Sequence, residues 1–181
     1  MDKQHINLFI KNAIAEDLGD GDHTSLSTIP SGAEGQAKLI VKEDGLIAGV
    51  ELAMHIFQQI DPDLQTEVFS NDGTEVKYGD IAFTVKGSTH SILLAERLVL
   101  NCMQRMSGIA STTNRIVKLL KPYHTQLLDT RKTTPGLRYL EKWAVRIGGG
   151  VNHRIGLYDM ILIKDNHVDY AGGISNAIHA A

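Results

Sequence analysis

The order of apolar patterns in the last third of the chain constrains the fold most. After Leu120 the pattern predicts a strand over residues 124–132, a helix over 136–147, a second strand over 158–165 and the start of a helix over 174–181. Strands that alternate with helices are typical of a parallel α/β sheet or barrel. A complete (β/α)₈ barrel takes about 250 residues, so this segment has room for about two βα units.

The first half of the chain has a less regular pattern. Its predicted elements are helices over 4–16 and 51–60, strands over 36–42, 65–70 and 80–88, a loop over 17–25, and turns at 43–45 and 71–73. This order is typical of an α+β domain.

Between these parts, apolar residues recur at three- and four-residue spacing over 93–120. The spacing predicts two helices, broken around Ser107 and Gly108. We therefore predict an α/β protein, in which an N-terminal α+β domain (1–110) precedes the first part of an incomplete, TIM-like α/β barrel (111–181). Because the last helical pattern stops on an apolar face without a capping residue, we expect the chain to be incomplete at its C-terminus.

Composition narrows the classes of function. The chain is 43% hydrophobic and 22% charged, with a net charge of -3 and 6% aromatic residues, which gives no sign of a nucleic-acid groove. No run approaches the roughly 18 apolar residues of a membrane span, and no secretory signal is evident. The single cysteine, Cys102, excludes an internal disulfide. We expect a cytoplasmic protein with neither membrane nor nucleic-acid partners.

Arg131 and Lys132 form the first candidate site, because they follow an apolar strand and precede a Pro-Gly turn. Ligands bind at the carboxyl ends of parallel strands. Alternatively, both are solvated surface charges.

His153 and Arg154 form the second, directly after the glycine run 148–150. Arg can bind a carboxylate through two parallel hydrogen bonds. The alternative is a flexible turn with a surface arginine, which the glycine run alone favours.

Lys164 is the third candidate, at the end of the apolar run 160–163, which predicts a buried strand. A lysine there requires an anion, and Asp165 could be that partner instead of a ligand. His153 and His167 lack the short spacing of zinc ligands, so we predict no protein-bound metal. Together, the cations at these strand ends predict an electropositive pocket for a small polyanion.

Four segments resemble the quinolinate phosphoribosyltransferases in order and spacing. They are EDLGDGDHTS, LLAERLVLNCMQRMSGIAS, DTRKTTPGLRYLEKWAV and GGGVNHRIGLYDMILIKDNH. The resemblance implies an enzyme, at least dimeric, that joins quinolinate to phosphoribosyl pyrophosphate with Mg²⁺. The products are nicotinate mononucleotide, pyrophosphate and CO₂, in NAD synthesis.

The resemblance also implies residue roles. Arg131, His153, Arg154 and Lys164 would grip the two quinolinate carboxylates, and Lys132 and Lys164 would also meet the phosphoribosyl pyrophosphate as catalytic residues. Arg105 would reach into the neighbouring subunit's pocket, although without the resemblance it is an exposed helical arginine.

The family's acidic residues for ribose and Mg²⁺ lie on later barrel strands. We therefore expect Mg²⁺ to arrive with the phosphoribosyl pyrophosphate, and residues 1–181 alone to be inactive. Two alternatives remain: a related phosphoribosyltransferase-like enzyme of molybdenum operons, and a non-catalytic, truncated anion-binding fragment.

Overall fold

A computed structural model describes residues 3–181. Seven helices and five strands are assigned within this range. The helices are α1 (Lys3–Leu18), α2 (His23–Thr28), α3 (Val50–Ile60), α4 (Thr89–Leu120), α5 (Arg138–Ile147), α6 (Asp165–Tyr170) and α7 (Ile174–Ala180). The strands are β1 (Glu34–Ile40), β2 (Gly45–Leu46), β3 (Gln65–Val68), β4 (Glu75–Val76) and β5 (Ile81–Ser88).

Two antiparallel sheets build the N-terminal part. One has the order β1-β5-β3, and the other pairs β2 with β4. Burial alternates along β1, as the sequence pattern predicts for a strand with one face toward the core. Phe83 of β5 packs edge-to-face on Phe57 of α3, with 5.8 Å between ring centroids. This contact joins the sheet to the buried face of α3.

Helix α4 is the central helix of the core. It buries Val99, Met103, Met106 and Ala110 among other residues, and it packs against both α3 and α5. The sequence predicted two helices here, and that prediction was wrong, because a single helix runs through Ser107 and Gly108. A glycine inside a helix costs about 1 kcal/mol, which the burial of the surrounding apolar side chains outweighs.

Two serines explain how this helix lies so close to β2. The Ser107 hydroxyl accepts from the Ala48 amide at 2.9 Å and donates to the Ala48 carbonyl at 3.1 Å. One helical turn later, Ser111 makes the same pair of contacts with the backbone of Leu46. The two hydroxyls pair with the backbone of Leu46 in β2 and of Ala48 just after it, so these polar groups are satisfied at the interface with α4.

The loop predicted over 17–25 is shorter than expected. Helix α2 begins at His23, because the Asp22 carboxylate accepts from the Ser25 amide at 3.0 Å and caps the helix.

The two strands predicted after Leu120 are also wrong as regular strands. In place of the first there is one parallel bridge, between Leu128 and Val151. The run over 158–165 pairs with no strand among the described residues, and it is exposed, with Ile161 70% accessible. A strand requires ladder hydrogen bonds with a neighbour, and an apolar run alone does not supply them.

The predicted fold class is nevertheless confirmed. The helices over 138–147 and 174–180 follow the predicted order, and the chain has the fold of an N-terminal α+β domain joined to part of an α/β barrel. None of the helices in residues 3–181 combines the length and apolar character that a membrane crossing requires.

The start of α3 generates a prediction. Its N-cap residue, Gly49, has no side chain to cap the helix, and Asp72 from a distant turn accepts from the Val50 amide at 2.8 Å and the Glu51 amide at 3.3 Å. We expect Asp72→Ala to lower the free energy of unfolding by about 1 kcal/mol, because two helix-terminal amides lose their acceptor. Urea denaturation measures this.

The matched control is Asp63→Ala, an exposed aspartate whose carboxylate accepts no hydrogen bond from the described residues. An equal loss of stability in both variants would contradict a capping role for Asp72.

Candidate functional site

A buried ion pair organises the start of the barrel. The ammonium group of Lys142, on α5, donates to the carboxylate of Asp129, and the two side chains are 2% and 7% exposed. The same ammonium group donates to the His153 carbonyl at 2.9 Å, and the Asp129 carboxylate accepts from the His153 amide at 2.8 Å. The backbone of His153 is therefore clamped on both sides by the pair.

Asn152 completes this cluster. Its amide nitrogen donates to Asp129 at 2.6 Å and to the carbonyl of Lys142 at 2.8 Å. Three chain segments, at 129, 142 and 152–153, are thereby tied together next to the Leu128–Val151 bridge. The loops that follow Asp129 and His153 carry the candidate cations.

Arg131 lies two residues after Asp129 and is partly buried. Its Nε is a buried donor that finds no hydrogen-bond partner in the described part of the chain. A buried unpaired donor costs about 1–3 kcal/mol, more when charged, and such groups are rare. The orphaned Nε is what an arginine that binds an anionic ligand would show.

The two predicted lysines are exposed. The Lys132 amide donates to the Thr130 hydroxyl at 3.0 Å, which folds the loop around it. Lys164 immediately precedes α6, and its amide donates to Nδ1 of His167 at 2.9 Å. Lys164 was predicted at the mouth of a buried strand, whereas it lies at the start of a helix and faces solvent.

Arg154 is buried, with 7% of its surface exposed. Its Nη1 donates to the Met160 carbonyl at 3.2 Å, and its amide donates to Nδ1 of the partly buried His153 at 2.8 Å. Arg154 therefore holds the extended run after it, in addition to any role with a ligand. The surface-arginine alternative is wrong for this residue.

Arg105 approaches the loop of Arg131 and Lys132 from α4. Its Nη2 donates to the Thr134 hydroxyl at 3.0 Å and to the Glu141 carboxylate at 2.6 Å, and its Nε donates to the same carboxylate at 3.1 Å. Burial raises the pKa of Glu141, but the hydrogen bonds from Arg105 and Thr134 outweigh it and hold that pKa below its usual range.

The glycine run has a packing role. A Cβ on Gly148 would lie 2.5 Å from the Ala110 carbonyl oxygen, and one on Gly150 would lie 2.7 Å from Cγ1 of Val145. Glycine is thus required where the chain passes α4 and leaves α5.

Glu141 and Lys142 are two buried charged residues that the sequence pattern did not predict as part of the site. Both lie on α5 inside an otherwise ordinary helical pattern, and only their burial separates them from solvated charges. Consecutive helix residues point about 100° apart, and five in a row, 140–144, are buried, so no apolar face in the sequence marks these two charges as buried.

Metal and thiol chemistry find no support in this region. Across residues 3–181, no group of three or more His, Cys, Asp or Glu side chains is arranged to hold a metal ion. Cys102 is buried, and burial raises the pKa of its thiol to about 11, which makes it a poor nucleophile.

Family models match two adjacent parts of the chain. Residues 22–107 match the quinolinate phosphoribosyl transferase N-terminal domain, and residues 109–181 match the C-terminal domain of the same family. The chain belongs to the quinolinate phosphoribosyltransferase family.

Named relatives agree with this. The chain is 53% identical over 170 residues to a chloroplastic nicotinate-nucleotide pyrophosphorylase (carboxylating) of Oryza sativa, covering 93% of this chain and 45% of the relative. It is 51% identical over 172 residues to a quinolinate phosphoribosyltransferase (decarboxylating) of Nicotiana tabacum, covering 94% and 49%. The chain spans about half the length of these relatives.

Solved structures show the same fold. The nicotinate-nucleotide pyrophosphorylase of Francisella tularensis is 40% identical with a TM-score of 0.91, and the NadC protein of Streptococcus pyogenes is 36% identical with a TM-score of 0.92. Each comparison covers 99% of this chain and 64% of the solved one.

The buried ion pair predicts a large stability effect. We expect Asp129→Asn to lower the free energy of unfolding by roughly 3–5 kcal/mol, because it leaves the Lys142 ammonium group buried without a counter-charge. Thermal and urea unfolding measure this. Glu75→Gln is the control, since it breaks an exposed 2.5 Å ion pair with Lys118 and should change stability far less than Asp129→Asn does. Equal effects in the two variants would contradict the central role of the pair.

Glu141 predicts a pH dependence. Because its folded-state pKa is depressed, its contribution to stability is present above its unfolded pKa, near 4.5, and is lost as the pH falls through the folded-state value. We expect the stability difference between wild type and Glu141→Gln to be largest at neutral pH and to shrink below about pH 4. Urea unfolding at pH 7 and pH 3 gives the comparison, and an equal difference at both would refute the assignment.

Proposed function

We propose that this chain is the quinolinate-binding part of a quinolinate phosphoribosyltransferase that makes nicotinate mononucleotide for NAD synthesis. The single observation that carries the proposal is the orphaned Nε of Arg131, a buried donor beside an organised cluster. The family membership and the relatives' names support the same substrate.

The residues suit a small dicarboxylate. Arg131 supplies a guanidinium group with an unsatisfied donor. The side chains of His153 and Arg154 are positioned because Lys142 and Asp129 hold the His153 backbone. Lys132 and Lys164 add exposed positive charge. Two carboxylates and a pyrophosphate repel one another, so several cations are needed to bring the reactants together.

The chemistry follows from that arrangement. The pyridine nitrogen of quinolinate displaces pyrophosphate from C1 of the sugar, through a transition state with oxocarbenium character like that of glycoside hydrolysis. The protein's task is largely positioning, which holds the nitrogen near C1. The ring nitrogen is then positive, and its charge stabilises the electron pair that the departing CO₂ leaves on the adjacent carbon. A proton from solvent is added to that carbon to give nicotinate mononucleotide.

Magnesium enters this proposal only with the phosphoribosyl pyrophosphate. The described residues do not offer a fitting set of acidic ligands, so none of the steps assigned to this chain uses the metal. In the proposal, Lys132 and Lys164 meet the pyrophosphate as catalytic residues.

Assembly and location also belong to the proposal. We expect at least a dimer, and a contribution of Arg105 to a neighbouring subunit's pocket stays a prediction beside the contacts it makes with Glu141 and Thr134 of its own chain. A cytoplasmic location stays a prediction as well, and the Oryza sativa relative is named as chloroplastic.

Calorimetric titration of the purified chain with quinolinate tests the proposal. We expect Arg131→Ala to weaken quinolinate binding by roughly 2–4 kcal/mol, because the dicarboxylate loses a charged, partly buried partner. Arg115→Ala, which removes an exposed arginine of α4, is the matched control and should leave the affinity unchanged. Arg131 is the better probe than Arg154, whose loss would also free the Met160 carbonyl.

Nicotinate provides a ligand control. It keeps the pyridine ring and one carboxylate, so it should bind at least about tenfold more weakly than quinolinate if two carboxylates are gripped. Equal affinity for the two ligands, or an Arg131→Ala variant that binds as tightly as wild type, would refute the pocket.

A further inference from the structure

A closed ring of contacts links α4, the cation loop and α5. Oε1 of Glu141 accepts from both Nε and Nη2 of Arg105, while Oε2 accepts from the Thr134 amide at 3.2 Å. Nη2 of Arg105 closes the ring at the Thr134 hydroxyl. Thr134 lies two residues after Lys132, so the ring anchors the loop that carries two candidate cations.

Burial differs across this ring. The Glu141 side chain is 9% exposed, whereas that of Arg105 is 53% exposed. The carboxylate is therefore fixed inside the protein, and it holds one edge of the guanidinium group. Among the described residues, Nη1 of Arg105 has no hydrogen-bond partner. The remaining edge is left to donate to an anion.

We propose that Glu141 is a positioning residue, which acts through Arg105 and the Thr134 loop to hold a guanidinium edge ready for an anionic substrate. A carboxylate that holds one side of an arginine removes its rotamer freedom before the ligand arrives, so less entropy is lost on binding. Glu141 does not touch the ligand in this scheme. The inference rests on the proposed function, because the anion it serves is the dicarboxylate.

The arrangement also couples two parts of the site. Arg105 belongs to α4, and Arg131 and Lys132 belong to the loop that follows Asp129. With Glu141 in place, the spacing between the arginine on the helix and the cations on the loop is set by one carboxylate.

A double-mutant cycle on quinolinate binding tests the proposal. We expect Glu141→Gln to weaken the affinity about tenfold, since the neutral amide holds the guanidinium group less firmly than a carboxylate does. Arg105→Ala should also weaken it. In the Arg105→Ala background, Glu141→Gln should have a smaller effect than in the wild type, because only its hydrogen bond with the Thr134 amide is left to lose.

Two variants keep the test sharp. Glu75→Gln makes the same chemical change in an ion pair away from the ring and should leave the affinity unchanged. Thr134→Val removes the hydroxyl that accepts from Arg105 but keeps the side-chain shape, and we expect about threefold weaker binding. This variant carries the test if Glu141→Gln does not fold, as judged by circular dichroism.

The outcomes separate the two proposals. A wild-type chain that binds no quinolinate overturns the proposed function, and this inference with it. A wild-type chain that binds, together with unchanged affinity in folded Glu141→Gln and Thr134→Val, overturns the inference alone. Additive effects of Arg105→Ala and Glu141→Gln also overturn it, because a purely structural carboxylate would act independently of the arginine.

Discussion

The contact between Lys142 and Asp129 holds together the three segments from which the candidate cations extend. Removing both charges from water costs several kcal/mol per ion, and only excellent geometry with further hydrogen bonds offsets that cost. Here the carboxylate also accepts from Asn152 and from the His153 amide, and the ammonium group also donates to the His153 carbonyl. The pair therefore fixes the alignment of the chain segments that it joins. Only one bridge, from Leu128 to Val151, is described between the two barrel segments. The charged side chains therefore align segments that a ladder of strand hydrogen bonds would otherwise align.

The candidate cations differ in how deeply they are buried. Arg154 is buried and holds backbone, Arg131 is partly buried with one orphaned donor, and Lys132 and Lys164 are exposed. Buried donors fix orientation because their directions cannot change, whereas exposed lysines supply long-range attraction at little desolvation cost. In the proposed function, this division would give a chain with a net charge of -3 a locally positive surface for an anion.

Local patterns predicted most elements, and tertiary contacts decided the rest. The alternation of β1 and the helical spacing of α3 and α5 were readable, because each reflects one face packed on the core. The break predicted at Ser107–Gly108 was wrong. The Ser107 hydroxyl forms hydrogen bonds with the Ala48 backbone, a contact distant in sequence that the local pattern does not reveal. The run at 160–163 looked like a buried strand because apolar composition does not specify a pairing partner. The candidate cations were visible from their strand-end positions and motif, but Glu141 and Lys142 required knowledge of burial.

Helix α4 has a mechanical consequence. It spans 32 residues, about 48 Å, and it crosses the boundary predicted between the two domains at residue 110. The serine contacts fasten it to the N-terminal sheets, and Gly148 lets α5 and its loop approach it closely. A rod fastened on both sides of a boundary offers no hinge there. Within residues 3–181, separating the two halves would require the helix itself to break, so relative movement is left to loops such as 131–136 and 155–164.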